Sequence, residues 1–117
     1  MAASPKFNVV LNAQEDFLLE APINIAGAGD NLIISGNAGL IIRVYRYFLQ
    51  VRAATDITFK DGAVVPTLTG PMPMAANEAM VFTFDTKAWF TGSAGNGFII
   101  NSSSATQISG RIYYTQG

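Results

Sequence analysis

Short runs of alternating apolar and polar residues make up most of the chain. Over 56–60, Ile57 and Phe59 alternate with Thr58 and Lys60. Successive side chains of a strand point to opposite faces, so this run predicts a strand with one apolar face. Clusters of Gly, Pro, Asn, Asp and Ser separate the runs, as is typical of turns. The pattern predicts strands over 6–11, 23–26, 31–35, 40–53, 56–60, 65–69, 79–85, 97–102 and 106–115.

This arrangement predicts an all-β fold with a single domain. No segment has the periodicity of a helix, and the spacing leaves no room for helical crossovers between parallel strands. Eight or nine short strands separated by regular turns indicate an antiparallel sandwich, a jelly roll or a barrel.

Two of the later strands are predicted to place one apolar face against the core. In 79–85, Met80, Phe82 and Phe84 share a face, opposite Thr83 and Asp85. In 106–115, the residues expected to face inward are Ile108, Ile112 and Tyr114, and those expected to face outward are Gln107, Ser109 and Arg111.

The strand predicted over 40–53 has two faces of unusual composition. One face holds Tyr45, Tyr47, Leu49 and Val51 and is expected to be core. Arginine and aromatic residues together are typical of protein–protein interfaces, whereas a single exposed phenylalanine is ordinary on any surface. The second face is therefore either an interface or a plain surface, and it comprises Val44, Arg46, Phe48, Gln50 and Arg52.

Residues 1–22 are predicted to form a separate element, and residues 23–117 the β-sandwich domain. Pro22 closes the first stretch, which contains the acidic residues Glu15, Asp16 and Glu20. Its apolar content indicates that the segment packs on a protein surface. It is either a first strand of the sandwich or an arm that packs on a neighbouring molecule.

Composition favours a protein that associates with others over one that binds nucleic acid or lipid. Half of the 117 residues are hydrophobic. Only 13% are charged, whereas charged residues make up about a quarter of a typical soluble domain. A net charge of −1 provides no field to attract nucleic acid or an anionic membrane. We therefore expect no nucleic-acid or membrane partner, and we expect self-association.

The stretch that most suggests a ligand site is "GPMPMAANEA", residues 70–79. Met72 and Met74 suggest thioether ligands for Cu(I), but the chain has no Cys or His to complete such a site. The alternative is a turn or an edge-strand entry that Pro71 and Pro73 set, with the methionines filling an irregular gap. We favour this alternative and predict no cofactor or metal.

No residue set predicts an enzyme. Asp30, Asp56 and Asp61 lie beside turn signals and are better explained by turn chemistry than by paired-carboxylate catalysis. A small hydrolase is the weakest hypothesis, because no base, nucleophile or metal cluster can be named. Trp89 and Phe90 beside a Gly-rich loop suggest a sugar-stacking platform, with Asn96 and Asn101 as polar partners of Trp89. The alternative is a partly buried anchor of a sheet edge, which is the more frequent role of a Trp next to a turn.

From about residue 40 to the end, the order of motifs resembles small β-sandwich structural proteins of tailed bacteriophages. The matching stretches are "IIRVYRYFLQVRAATDITFKDG", "LTGPMPMAANEAMVFTFD" and "AWFTGSAGNGFIINSSSATQISGRIYY". The resemblance implies a jelly-roll virion protein, either a head decoration (cement) protein, often trimeric, or a tail or neck component. The expected partners are then other copies of the chain, as a homotrimer, and the major capsid protein.

The resemblance also implies a location on the capsid exterior after synthesis in the bacterial cytoplasm. The alternative is a fibre-tip module that binds glycan. For the decoration role, we expect self-association through the outward set of 44–52. Residues 1–22 fall outside the matching stretches, and we expect them to contact the capsid through Phe7, Val9, Leu11, Phe17 and Leu18.

Overall fold

The computed structural model describes residues 9–11, 14–16, 18–64, 67–83 and 87–117. These residues form strands joined by turns and contain no helix. The strands are β1 Val9–Leu11, β2 Gln14–Asp16, β3 Leu19–Ile25, β4 Gly29–Ile34, β5 Ile42–Val51, β6 Thr55–Asp61, β7 Met72–Met74, β8 Ala79–Phe82, β9 Phe90–Thr91, β10 Phe98–Ser102 and β11 Ile108–Gln116.

Nine of these strands form two antiparallel sheets, which confirms the predicted all-β class. One sheet has four strands in the order β4-β10-β6-β7. The other has five: it runs β3-β11-β5-β8, and β9 pairs with β5 on the same side as β8. Among the described residues, none belongs to a helix that could span a bilayer.

A single hydrophobic core joins the two sheets. Ile57 and Phe59 of β6 are buried, as their alternation predicted, and they pack with Tyr47 and Leu49 of β5 from the other sheet. Burial of large apolar side chains between two sheets is the main stabilising term of such a fold. The buried members of the core are Ile23, Ile25, Ile34, Ile42, Val44, Tyr47, Leu49, Val51, Ile57, Phe59, Met74, Phe98, Ile100, Ile108 and Ile112.

A β-bulge in β5 changes which side chains face the core. Arg46 pairs with Tyr113 of β11, whereas the next pair along β11 is Tyr114 with Val44. Tyr45 is thus an extra residue, and the alternation reverses across it. Val44 is consequently fully buried, so its predicted place on the outward face is wrong. The inward assignment of Tyr45, Tyr47, Leu49 and Val51 is confirmed by their burial.

The edge of the four-stranded sheet differs from the prediction. The strand expected over 65–69 is represented in the described residues by a single bridge between Thr67 and Lys60. The segment Met72–Met74 forms the edge strand β7 instead and pairs with β6. An edge strand tolerates Pro73 because one side of the strand has no neighbour. On that side, no hydrogen bond from a backbone N–H is lost.

Strand β3 crosses the boundary expected after Pro22. It pairs with β11 from Leu19 to Ile25, and Pro22 lies opposite Arg111. Proline is accommodated here because β3 is an edge strand of its sheet. Residues 19–22 therefore belong to the five-stranded sheet.

In the described part of the chain, the N-terminal strands β1 and β2 pair with each other. Val9 lies opposite Asp16 and Leu11 opposite Gln14, and the two strands form a sheet of their own. The prediction of an N-terminal arm concerns this hairpin and its flanking residues. Phe7 and Phe17 lie outside the described residues, and Leu18 is partly buried.

The central ladder between β5 and β11 depends on Gly110. A Cβ atom at this position would overlap the carbonyl oxygen of Phe48 and lie 2.8 Å from Cα of Leu49. Any side chain at 110 therefore pushes β11 away from β5.

We expect Gly110→Ala to destabilise the fold by about 3 kcal/mol, because the new methyl group meets backbone atoms that cannot rotate away. Denaturant unfolding followed by circular dichroism measures this change. The control is Gly70→Ala, where nothing lies within 4 Å of the added atom. Equal stabilities for the two variants would contradict the close approach of β11 to β5.

We expect deletion of residues 1–18 to leave the sandwich folded, and deletion of residues 1–22 to cost a further ~2 kcal/mol or more. The longer deletion removes residues 19–22, which pair with residues 111–114 of β11. Thermal unfolding of both truncations checks this difference. A fully unfolded 1–18 deletion would mean that the hairpin is part of the core.

Candidate interaction surface

All arginines of the chain lie on the outward side of the five-stranded sheet. Arg43 and Arg46 are on β5, Arg111 is on β11, and Arg52 directly follows β5. Their sequence neighbours Ile42, Val44, Tyr47, Val51 and Ile112 are buried, so alternation directs the guanidinium groups away from the core. We call this face the arginine face.

The strand register places aromatic and aliphatic residues between the arginines. Phe48 lies opposite Arg111 on one side and Val81 of β8 on the other, and Arg46 lies opposite Tyr113. Phe48 is 42% exposed and Val81 66% exposed. The arginine face comprises Arg43, Arg46, Phe48, Gln50, Arg52, Val81, Arg111 and Tyr113, with Glu20 and Pro22 along the β3 edge.

Two contacts hold long side chains across this face. The Cζ atom of Arg46 lies 4.6 Å from the centre of the Tyr113 ring, a cation–π contact that contributes about 0.5–1 kcal/mol at an exposed position. Nη1 of Arg111 lies 3.0 Å from Oε1 of Glu20, and because both side chains are exposed this ion pair adds little stability. Both contacts order arginines that would otherwise lose conformational entropy on binding.

The arginine face carries an excess of positive charge. Glu20 is the sole acidic residue on the described strands of this sheet, and it is paired with Arg111. In the described part of the chain, Arg43, Arg46 and Arg52 have no carboxylate within ion-pair distance. The chain as a whole has a net charge of −1, so this positive charge is local.

The sequence predicted part of this surface. Arg46, Phe48, Gln50 and Arg52 are exposed as expected, whereas Val44 is not. Arg111, Tyr113 and Val81 join the β5 residues only in the folded sheet, because strand order decides which strands become neighbours. The alternation of 106–115 predicts that Arg111 and Ser109 face outward. This was the one feature of the sequence that pointed to their place on the surface.

A polar depression lies at one end of the arginine face. It has a volume of about 150 Å³ and is lined by Gln50, Arg52, Asn77, Gln107 and Ser109 together with Val51. Nε2 of Gln50 donates to the carbonyl oxygen of Asn77 at 3.0 Å, which ties the 75–78 turn to β5. Asn77 has a φ of 65°, a left-handed conformation that asparagine tolerates better than most residues.

The methionines that suggested a soft-metal site line a cleft between two sheet edges. Met72 and Met74 of β7 and Met80 of β8 line about 270 Å³ together with Glu78 and Phe82. The Met80 sulfur accepts the hydroxyl of Tyr47 at 3.5 Å, and burial raises the pKa of that hydroxyl above its ordinary value. Within the described residues, no group of His, Cys, Asp and Glu could hold a metal ion.

The carboxylates considered for catalysis have separate environments. Asp61 is buried and accepts hydrogen bonds from the backbone N–H and the hydroxyl of Ser93, at 3.1 and 2.7 Å. Asp30 is bound by Asn101 and Lys60, and these hydrogen bonds hold the pKa of its carboxyl below the usual value. Both arrangements tie loops or strands together, which is a structural role.

The residues of the suggested glycan platform have different partners. Trp89 packs edge-on against Phe82 at 4.9 Å and donates its Nε1–H to the carbonyl oxygen of Thr83 at 2.9 Å. Asn96 donates to the carbonyl oxygen of Asp61, and Asn101 of β10 donates to Asp30 of the neighbouring strand β4 in the four-stranded sheet. The described contacts do not combine these residues into one platform.

Comparison with known proteins adds no family at this point. No protein-family model matches the sequence, and no match was found among curated proteins or solved structures.

Proposed function

We propose that this chain is a virion structural protein of a tailed bacteriophage, a capsid decoration protein that self-associates through the arginine face. The observation that supports the proposal is the concentration of all arginines, with Phe48, Tyr113 and Val81, on one exposed sheet face. The motif order of residues 40–117 resembles that of small phage structural proteins and supplies the biological setting.

We infer that the two sheets form a jelly roll. Apart from the hairpin, strand pairs nest from the outside inward: β3 with β11, β4 with β10, β5 with β8 and β9, and β6 with β7. A long antiparallel ribbon rolled in this way gives two sheets of alternating pairs, the arrangement expected of jelly rolls in capsid proteins. Fold likeness alone does not fix function, so the proposal depends on the surface.

The composition of the arginine face suits protein binding. Arginine and aromatic residues supply most of the binding energy at interfaces, where their flat side chains bury a large area. The contact with the Tyr113 ring holds the guanidinium group of Arg46 in position in the free protein, so less side-chain entropy is lost on binding. A partner that covers this face also removes the exposed side chains of Phe48 and Val81 from water.

Decoration needs binding and no catalytic group. Three copies around an axis would bury their contacts in a closed ring, which we propose as the homotrimer. Each copy would contact the major capsid protein through the N-terminal segment, with Phe7, Val9, Leu11, Phe17 and Leu18 as the proposed contact residues. Several weak contacts in one trimer combine to hold it on the capsid exterior.

We expect Phe48→Asp to weaken self-association at least about tenfold, because a carboxylate replaces the apolar centre of the arginine face. Sedimentation equilibrium over a range of protein concentrations measures the dissociation constant. The matched control is Leu32→Asp on the opposite sheet, which is also exposed, at 60%. A wild-type chain that stays monomeric at all concentrations would contradict self-association.

We expect the wild-type protein to co-sediment with expanded phage heads that lack decoration, and to raise the temperature at which those heads break open. The physical reason is mass action, since a ligand that binds only the intact shell stabilises it. Deletion of residues 1–18 should lower the bound fraction while the sandwich remains folded. Absence of binding to such heads would contradict the decoration role.

A further inference from the structure

We propose that the polar depression at the end of the arginine face binds a sugar that carries a carboxylate group, such as a uronic acid. The inference goes beyond the proposed decoration role, because stabilising a shell requires no small ligand. It follows from the strand register around the depression, from the hydrogen bonds that hold its side chains, and from an arginine that lacks a carboxylate partner in the described part of the chain.

The strand register collects the side chains of the depression from two neighbouring strands. Gln50 of β5 lies opposite Ser109 of β11. One step further, the backbone N–H of Arg52 donates to the carbonyl oxygen of Gln107 at 2.9 Å. Four polar side chains therefore come together at one end of the ladder between β5 and β11.

A buried layer and a turn fix the position of these side chains. Val51 and Ile108 are fully buried, so alternation directs their sequence neighbours on both sides outward. The 75–78 turn closes a further side, because the backbone N–H of Asn77 donates to the carbonyl oxygen of Val51 at 2.9 Å. The depression thus has a frame of hydrogen-bonded backbone.

Internal hydrogen bonds hold the two glutamine amides of the depression in place. Nε2 of Gln50 donates to the carbonyl oxygen of Asn77 at 3.0 Å. Nε2 of Gln107 donates to Oδ1 of Asn24 at 2.8 Å and to Oγ of Ser109 at 3.1 Å. Within the described residues, this leaves the side-chain oxygens of both glutamines and the hydroxyl proton of Ser109 without a partner. A ligand then meets groups that are already ordered, which lowers the entropy cost of binding.

Arg52 is the cation among the residues that line the depression. Its side chain is exposed, and in the described part of the chain no carboxylate lies within ion-pair distance of it. None of the lining residues is acidic. Because a planar guanidinium group binds a carboxylate through two parallel hydrogen bonds, the ligand that suits this position is a carboxylate.

The neutral groups beside Arg52 favour a sugar as the carrier of that carboxylate. Hydroxyl groups both donate and accept, so ring hydroxyls can donate to the glutamine oxygens and accept from Ser109. An acidic peptide side chain satisfies Arg52 but brings no hydroxyl groups for those oxygens. The volume of about 150 Å³ has room for about five water molecules at ~30 Å³ each, which is comparable to one sugar ring.

The site is distinct from the centre of the self-association surface. Gln50 and Arg52 belong to the arginine face, but the apolar residue at the centre of that face, Phe48, does not line the depression. One sugar contact per copy is weak, and many copies on one particle combine such contacts by multivalency. The sugar site therefore adds attachment to a glycan-bearing surface and leaves the shell contacts unchanged.

A titration of the folded protein followed by nuclear magnetic resonance tests the assignment. The probes are glucuronate and glucose, which differ in the carboxylate. We expect glucuronate to bind with a dissociation constant of about 1 mM, and glucose to bind at least about tenfold more weakly. The backbone amide signals that shift should be those of residues 50–52, 76–78 and 107–109.

Two variants separate the charge of the site from its hydroxyl contact. Arg52→Gln should weaken glucuronate binding at least about tenfold and abolish the preference over glucose, because the side chain stays polar and loses its charge. Ser109→Ala should weaken both sugars about threefold or more, because it removes one hydrogen bond. The matched control is Arg43→Gln, the same change near the other end of β5, which should bind glucuronate as the wild type does. Circular dichroism of each variant reports whether the sandwich is folded.

Two results would overturn the assignment. The first is a folded Arg52→Gln chain that binds glucuronate as tightly as the wild type. The second is a triglutamate peptide that shifts the same signals with the affinity of glucuronate, since this would make the depression a site for acidic peptides.

The same chains distinguish this inference from the proposed function. Phe48→Asp, which should weaken self-association, should leave glucuronate binding unchanged. Glucuronate binding by a protein that ignores undecorated heads would contradict only the decoration role. Head binding by a protein that does not bind glucuronate would contradict only the sugar site.

Discussion

The pairing of β5 with β11 is the constraint on which the rest of the structure depends. These are the longest strands, and they lie side by side in the middle of the five-stranded sheet. Gly110 permits the close approach, and the bulge at Tyr45 sets which residues of β5 face inward on either side of it. Through this one ladder, Ile42 and Val44 join Tyr47 and Leu49 in the core, while Arg46 and Phe48 stay outside.

The same ladder gives the surface its chemistry. Side chains of β5 and β11 that lie directly opposite each other are close enough to interact, which brings Arg46 over Tyr113 and Phe48 beside Arg111. The core and the interaction surface are therefore two faces of one register. A shift of one residue in that register would exchange them, so selection for a stable core also fixes the arrangement of the arginines.

Much of the fold could be predicted from periodicity. The outward set Arg46, Phe48, Gln50 and Arg52 and the inward set Ile57 and Phe59 were identified from alternation alone, because both lie in regular strands. Val44 is misplaced when one alternation is carried through the whole strand, because the bulge at Tyr45 shifts the alternation by one residue. The prolines around Met72–Met74 predict a turn or an edge-strand entry, and only the pairing with β6 decides for the edge strand.

The sequence by itself determined the all-β class, the low charge and the direction of most side chains, because these follow from composition and from the two-residue period of a strand. The tertiary structure alone decided which strands are neighbours. Arg111 and Tyr113 are more than sixty residues from Arg46 along the chain, yet they lie across one ladder from it. Met80 joins Met72 and Met74 only because two sheet edges meet. Contacts of this kind depend on strand order, which the free energy of the whole packed core selects and no local pattern encodes.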